Sequence, residues 1–208
     1  MSTAINVEKY QAAPKQIRRG IALALSGGGY RAALFHLGAV RRLNELGILY
    51  QIDTISSVSG GSIFAAHLAT RIPWPLQGPL PSSEWESTVA APLRAFTKRD
   101  IRTGSFFKRF LPWKWFDGDA DSDALANQYE KYLTKAKLIE LPAKPRFVLC
   151  STDLAFGVNW IFEKNRMGDY KLGIQISSAQ RLATGASRRR LIVLSSGVPA
   201  DTDQDGRG

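Results

Sequence analysis

Cysteine is almost missing from this chain of 208 residues, where Cys150 stands alone. That excludes an internal disulfide and a cysteine-rich zinc site, and makes a reducing compartment the simpler expectation. Histidine is nearly as scarce: His36 and His67 are the only two, so no chemistry that needs a histidine late in the chain is available. No stretch offers the roughly 18 to 20 apolar residues of a membrane span. The longest uncharged run, 54–70, is interrupted by four serines, two glycines and His67. The first 20 residues are polar and mildly basic, without the apolar segment of a secretory signal. Acidic residues are short as well, 18 against 28 Lys and Arg, which leaves a net charge of +10. Such a balance suits nucleic acid, an anionic membrane surface or an acidic partner, and does not choose among them. The hydrophobic fraction of 44% and charged fraction of 22% are those of a soluble globular domain with a sizeable core. A cytoplasmic location is expected, with any membrane contact peripheral.

The chain divides by composition into an N-terminal arm (1–20), a main domain (21–184) and an atypical tail (185–208). Residues 21–25, Ile-Ala-Leu-Ala-Leu, read as a buried strand cut by Ser26-Gly27-Gly28-Gly29. From 30 to 46 the pattern is helical. Ala32, Phe35, Ala39, Leu43 and Leu46 form the apolar stripe, and Gly47 is placed to cap the end. A second strand over 52–58 and a helix over 62–70 follow, so strand, helix, strand and helix alternate with short joints. That order implies an α/β fold with parallel strands and right-handed crossovers. Prolines 73, 75, 79 and 81 mark a loop, and 85–97 reads as a helix despite Pro92. Residues 98–116 interleave Phe106, Phe107, Phe110, Trp113, Trp115 and Phe116 with cations. A helix over 124–137, a strand over 146–151 and a hairpin partner over 158–163 complete the domain. The tail holds at most one strand, 191–195.

Residues 52–62, Ile-Asp-Thr-Ile-Ser-Ser-Val-Ser-Gly-Gly-Ser, have the form of a nucleophile elbow with Ser59 at its apex. A tight strand-to-helix turn lifts the central side chain clear of the sheet, provided the residues two before and two after are very small. Those are Ser57 and Gly61, so the usual G-x-S-x-G departs at its first position. Gly27, Gly28 and Gly29 admit three readings. A dinucleotide fingerprint also needs an acidic residue at the far end of the second strand, where Asp53 is at the near end. A plain tight turn is the second. The third is an oxyanion hole of bare N–H groups at a helix start, which gains from the serine elbow on the next strand. A phosphate loop fails, because no Gly-Lys-Ser/Thr follows. No histidine lies beyond His67, so the Ser…Asp…His order of ordinary α/β-hydrolases is out of reach. The base for Ser59 would be a carboxylate acting directly, and His67 reads as a helix-surface or partly buried residue.

The strings Ser-Gly-Gly-Gly-Tyr-Arg-Ala at 26–32, Glu-Leu-Gly at 45–47 and Ser-Ser-Val-Ser-Gly-Gly-Ser at 56–62 resemble the patatin-like phospholipases. The likeness is strong over 21–70 and weaker over 147–153 and 167–172. It implies a three-layer α/β sandwich around a mostly parallel sheet, and hydrolysis of lipid or small esters through a Ser–Asp dyad. By resemblance Ser59 is the nucleophile, and Gly27, Gly28 and Gly29 supply the oxyanion hole with Arg31 as basic companion. No metal or organic cofactor is implied. The family's late Asp-Gly-Gly or Asp-Gly-Ala motif is missing. The nearest string begins at Asp205, which makes it the one dyad candidate, while Asp153 reads as structural. The loss of pattern after about residue 184 leads to the expectation of a C-terminally incomplete or frame-shifted domain with weak or absent esterase activity. For 98–116 the readings are a packed cap, contact with an anionic membrane, and, last, nucleic acid. The rival to an enzyme is an inactive patatin-like module that docks on acidic membranes.

Overall fold

The two short apolar runs that end in small residues lie side by side as parallel strands, β2 (Ile21–Leu25) and β3 (Ile52–Val58). In this computed structural model the described residues are 7–8, 19–98, 129–153, 156–171 and 173–176. β4 (Arg146–Asp153) joins β3 in parallel, with Ile55 opposite Phe147 and Ser57 opposite Leu149. β5 (Val158–Phe162), β6 (Arg166–Asp169) and β7 (Gly173–Ile176) continue the sheet as antiparallel neighbours. Two residues of the N-terminal arm, β1 (Val7–Glu8), pair antiparallel with β7. The order is β1-β7-β6-β5-β4-β3-β2. The fold is α/β as expected; the parallel part is β2–β3–β4, and the hairpin strands extend it.

The first helix, α1 (Gly29–Glu45), connects β2 to β3, and α2 (Gly60–Arg71) leaves β3. Strands β2, β3 and β4 lie in sequence order, so right-handed crossovers put both helices on one face. That face carries buried Leu25, Ile55, Ser57, Phe147 and Leu149. On the opposite face Ala22, Ala24 and Val58 are exposed and Thr54, Ser56, Val148 and Cys150 half-buried. The third layer of the expected sandwich is therefore not among the described residues. α3 (Ser82–Trp85), a π-helical turn (Glu86–Ala90) and α4 (Ala91–Thr97) make one broken helix. Pro92 is accommodated at the start of α4, directly after the π turn, where the missing N–H costs little.

Four local expectations are corrected. The strand over 21–25, expected to be buried, buries only Leu25, because no described layer covers its other face. α1 buries Ala33, His36, Leu37, Val40 and Asn44, while Phe35 is 70% and Leu46 54% exposed. Two apolar stripes run along this helix a residue apart, and the buried one contains polar groups that disguise it. Asn44 exchanges side-chain hydrogen bonds with the Leu80 backbone, 2.8 Å to its carbonyl and 2.9 Å from its N–H, and His36 is bonded as described below. Gly47, at φ 68°, does end the helix, with the Ile48 N–H bonded to the Leu43 carbonyl. The helix expected over 124–137 is helical at 129–132 and has ended by Thr134; 124–128 lie outside the described residues. His67 is fully buried, 1% exposed, not at the helix surface or partly buried. Its neighbours on α2 are small or apolar, so that helix is buried from Gly60 through Ala69.

Candidate active site

Ser59 sits between the last residue of β3 and the first of α2 with φ 51° and ψ −120°. Among the described residues it is the one non-glycine with positive φ. Such a conformation costs of order 1–3 kcal/mol and persists only where the surroundings enforce it. Here they do: the Ser59 carbonyl accepts the N–H groups of Ser62 and Ile63 at 2.8 and 3.1 Å. A Cβ on Gly60 would run into the backbone of Gly29, 2.7 Å from its nitrogen, and one on Gly61 would stand 2.7 Å from the Ser26 carbonyl oxygen. The elbow and the glycine loop are in backbone-to-backbone contact, and only glycine fits the junction. Ser57, the departure from G-x-S-x-G, turns its side chain under the elbow. Its hydroxyl meets that of Ser62 at 3.1 Å and reaches the Val148 carbonyl at 3.5 Å. A buried hydroxyl with partners is tolerated where an unpaired one would not be.

The glycine loop passes directly over Ser59. A Cβ on Gly27 would lie 3.2 Å from Ser59 Cβ and 3.8 Å from Ser59 Oγ. Gly28 (φ 137°) and Gly29 (φ 62°) have left-handed backbone that a side chain would strain. α1 starts on Gly29 with Gly28 as N-cap, without a side-chain cap or an acidic residue in its first turn. Its leading N–H groups thus carry an uncompensated positive field beside Ser59. Arg31 lies exposed on that first turn. The structure therefore brings together Ser59, Gly27, Gly28, Gly29 and the turn bearing Arg31. Asp205, and all of 98–116 except Lys98, lie outside the described residues.

Neither histidine serves Ser59. His36 Nε2 is 2.9 Å from the Ser26 carbonyl oxygen, and His67 Nε2 is 2.8 Å from the Val89 carbonyl oxygen. Burial drives the His67 pKa down to about 4, against the Val89 bond, which favours its charged form. Asp53 accepts the Ile21 N–H at 3.0 Å, at the start of β3 and the far end from the glycine loop, so it cannot play a ribose-binding part there. A cavity of about 300 Å³ lies at the start of β4, also remote from Ser59, lined by Arg146, Phe147, Glu163, Lys164 and Arg166. Its charges are used internally: Glu163 accepts from both Arg146 and Arg166, and Lys164 donates to the carbonyls of Ile139 and Leu141. Burial pushes the Glu163 pKa up, but the bonds from Arg166 and Arg146 outweigh it and hold the carboxyl below its ordinary range.

The family model for patatin-like phospholipases matches residues 23–200. The chain belongs to this family. Among solved structures it is similar in fold to human GIVD cytosolic phospholipase A2 in complex with methyl gamma-linolenyl fluorophosphonate. The two share 19% identity over 76% of this chain and 24% of that one, with a TM-score of 0.50. The same human protein with that inhibitor and terbium chloride gives 20% identity over 76% and 25% of the two chains, with a TM-score of 0.49. The chain spans about a quarter of the length of these structures. No curated protein matches it. In this patatin-like chain the turn at Ser59 and the glycine loop stand out in the sequence, whereas His36 as a partner of the loop does not. Its signal was the second apolar stripe of α1, in which a histidine takes a core position.

Proposed function

We propose that the protein hydrolyses carboxylic esters of lipids. Ser59 Oγ attacks the ester carbonyl carbon and passes its proton to a carboxylate. The carbonyl oxygen, now anionic, is held by backbone N–H groups of Gly27, Gly28 and Gly29, with the α1 N-terminus and Arg31 adding positive field. Collapse expels the alcohol, which takes up the proton, and water then releases the acyl group from Ser59 by the same path. Asp205 begins the string nearest to the family's Asp-Gly-Gly pattern, which the chain otherwise lacks, and is the one candidate for that carboxylate. Steady-state turnover rests on it, since general-base assistance is worth roughly 10²–10⁴ in rate. The observation that carries the reading is the strained Ser59, with φ 51°, packed under Gly27.

A fluorophosphonate, the class of ligand in the human structure, tests it directly. The serine oxygen displaces fluoride at phosphorus, and the phosphonyl oxygen occupies the place of the oxyanion. Labelling that disappears in Ser59→Ala supports the reading, and equal labelling of Ser59→Ala overturns it. Asp205→Asn should lower ester turnover without abolishing labelling; unchanged turnover removes Asp205 from the dyad. The net charge of +10 and the basic, aromatic segment 98–116 favour a second reading, in which the domain docks on anionic membranes without catalysis. Salt-sensitive sedimentation with anionic vesicles and no labelled serine would support that one.

A further inference from the structure

We infer that His36 is a positioning residue for the glycine loop: its imidazole holds the Ser26–Gly27 peptide in the plane that Ser59 chemistry needs. This rests on the reading of the loop as an oxyanion site. His36 is 5% exposed, and its Nε2 stands 2.9 Å from the Ser26 carbonyl oxygen and 3.5 Å from Ser26 Oγ. A carbonyl oxygen only accepts, so Nε2 carries the proton. The peptide between Ser26 and Gly27 is planar, with its C=O and N–H pointing opposite ways. Fixing the carbonyl on His36 therefore fixes the direction of the Gly27 N–H. Apart from its backbone contacts with Ser59, Gly60 and Gly61, the glycine loop has no side chains of its own to fix the tilt of this peptide. Ser26, Gly27 and Gly28 are exposed, and the glycines carry no side chains that could pack. On its other side the Ser26 carbonyl is met by Gly61, where a Cβ would stand 2.7 Å from the oxygen.

The imidazole is itself held. Its ring lies 5.6 Å from Phe35 at 73° and 6.4 Å from Phe64 of α2. It thus ties together three parts of the site: the loop it bonds, the α1 helix that starts on that loop, and the α2 helix that starts on Ser59. A misplacement of about 1 Å in such a site can cost about 10²-fold in rate.

The test uses the rate of fluorophosphonate labelling at Ser59 in wild type, His36→Leu and His36→Gln. Leucine keeps the volume and removes the donor, while glutamine returns a donor at nearly the reach of Nε2. His36→Leu should unfold cooperatively and label about 10-fold to 10²-fold more slowly, the loss lying in the bond-forming step and not in probe affinity. His36→Gln should recover most of the rate. Labelling of folded His36→Leu within twofold of wild type overturns the inference. If His36→Leu fails to fold, His36→Asn, whose donor is one carbon short, takes its place, and equal rates for Asn and Gln overturn it. If wild type is not labelled at Ser59, the catalytic reading fails separately. Amide exchange at Gly27, Gly28 and Gly29 then decides: faster in His36→Leu and restored in His36→Gln, or unchanged and against the inference.

Discussion

The helices α1 and α2 begin alike and are buried very differently. Each starts on a glycine-flanked turn at the end of a parallel strand, and the two turns touch. Yet α2 is buried from Gly60 to Ala69, while α1 leaves Leu34, Phe35 and Leu46 exposed. α2 lies centrally over β3 and β4, and its small residues let it approach closely. α1 packs against α2 and buries one stripe. The site is thus built by backbone contact at the α2 end and by side-chain tethering at the α1 end. Substitutions should therefore break α2 by steric conflict and α1 only where a tether is cut.

The largest effect on labelling is expected at the junction. Gly60→Ala places a methyl against the Gly29 backbone, where nothing flexible can yield. Overpacking of this kind costs about 1–3 kcal/mol or more, and denaturant unfolding should show that loss together with loss of Ser59 labelling. Next come two phenylalanines on the two helices. Phe64→Ala, from a fully buried position, should cost about 3–5 kcal/mol. Phe35→Ala, 70% exposed, should stay within about 0.5 kcal/mol. Equal costs by denaturant titration would erase the contrast between the helices.

His67 gives a pH test on α2. Its folded pKa of about 4 lies below the ordinary 6.5. Above about pH 6.5 both folded and unfolded forms are neutral there, and the group contributes no pH dependence. As pH falls from 6.5 toward 4, the unfolded chain takes up a proton that the folded chain refuses. Stability therefore drops, by on the order of 3 kcal/mol at most. His67→Gln, which keeps a donor for the Val89 carbonyl, should flatten that part of the stability curve. An unchanged slope would assign it to other groups. The one change expected to stabilise is Gly38→Ala on α1, where a Cβ meets nothing within 4 Å. Helix propensity alone should then raise stability by up to about 1 kcal/mol.

Much of this was legible in the sequence. The elbow and the loop depend on backbone conformations that few residues tolerate, and their glycines and Ser59 therefore stand out in one dimension. The parallel order followed from alternating strand and helix with short joints. The buried stripe of α1 was not legible, since His36 and Asn44 look like surface residues until their carbonyl partners at Ser26 and Leu80 come close in space. His67 was misplaced for the same reason, because its partner carbonyl at Val89 lies on another helix. Ser57 looked like a flaw in the elbow motif, and its acceptance depends on Ser62 and Val148, the latter from a strand distant in sequence.

On the proposed reading, the turn between β3 and α2 presents Ser59 as a nucleophile to the glycine loop. Peptide mass mapping after fluorophosphonate treatment locates the reactive residue. The adduct should sit on Ser59, vanish in Ser59→Ala, and persist when the supporting Ser62 is changed to alanine. An adduct on any other serine, or one that survives Ser59→Ala undiminished, would contradict that role for Ser59.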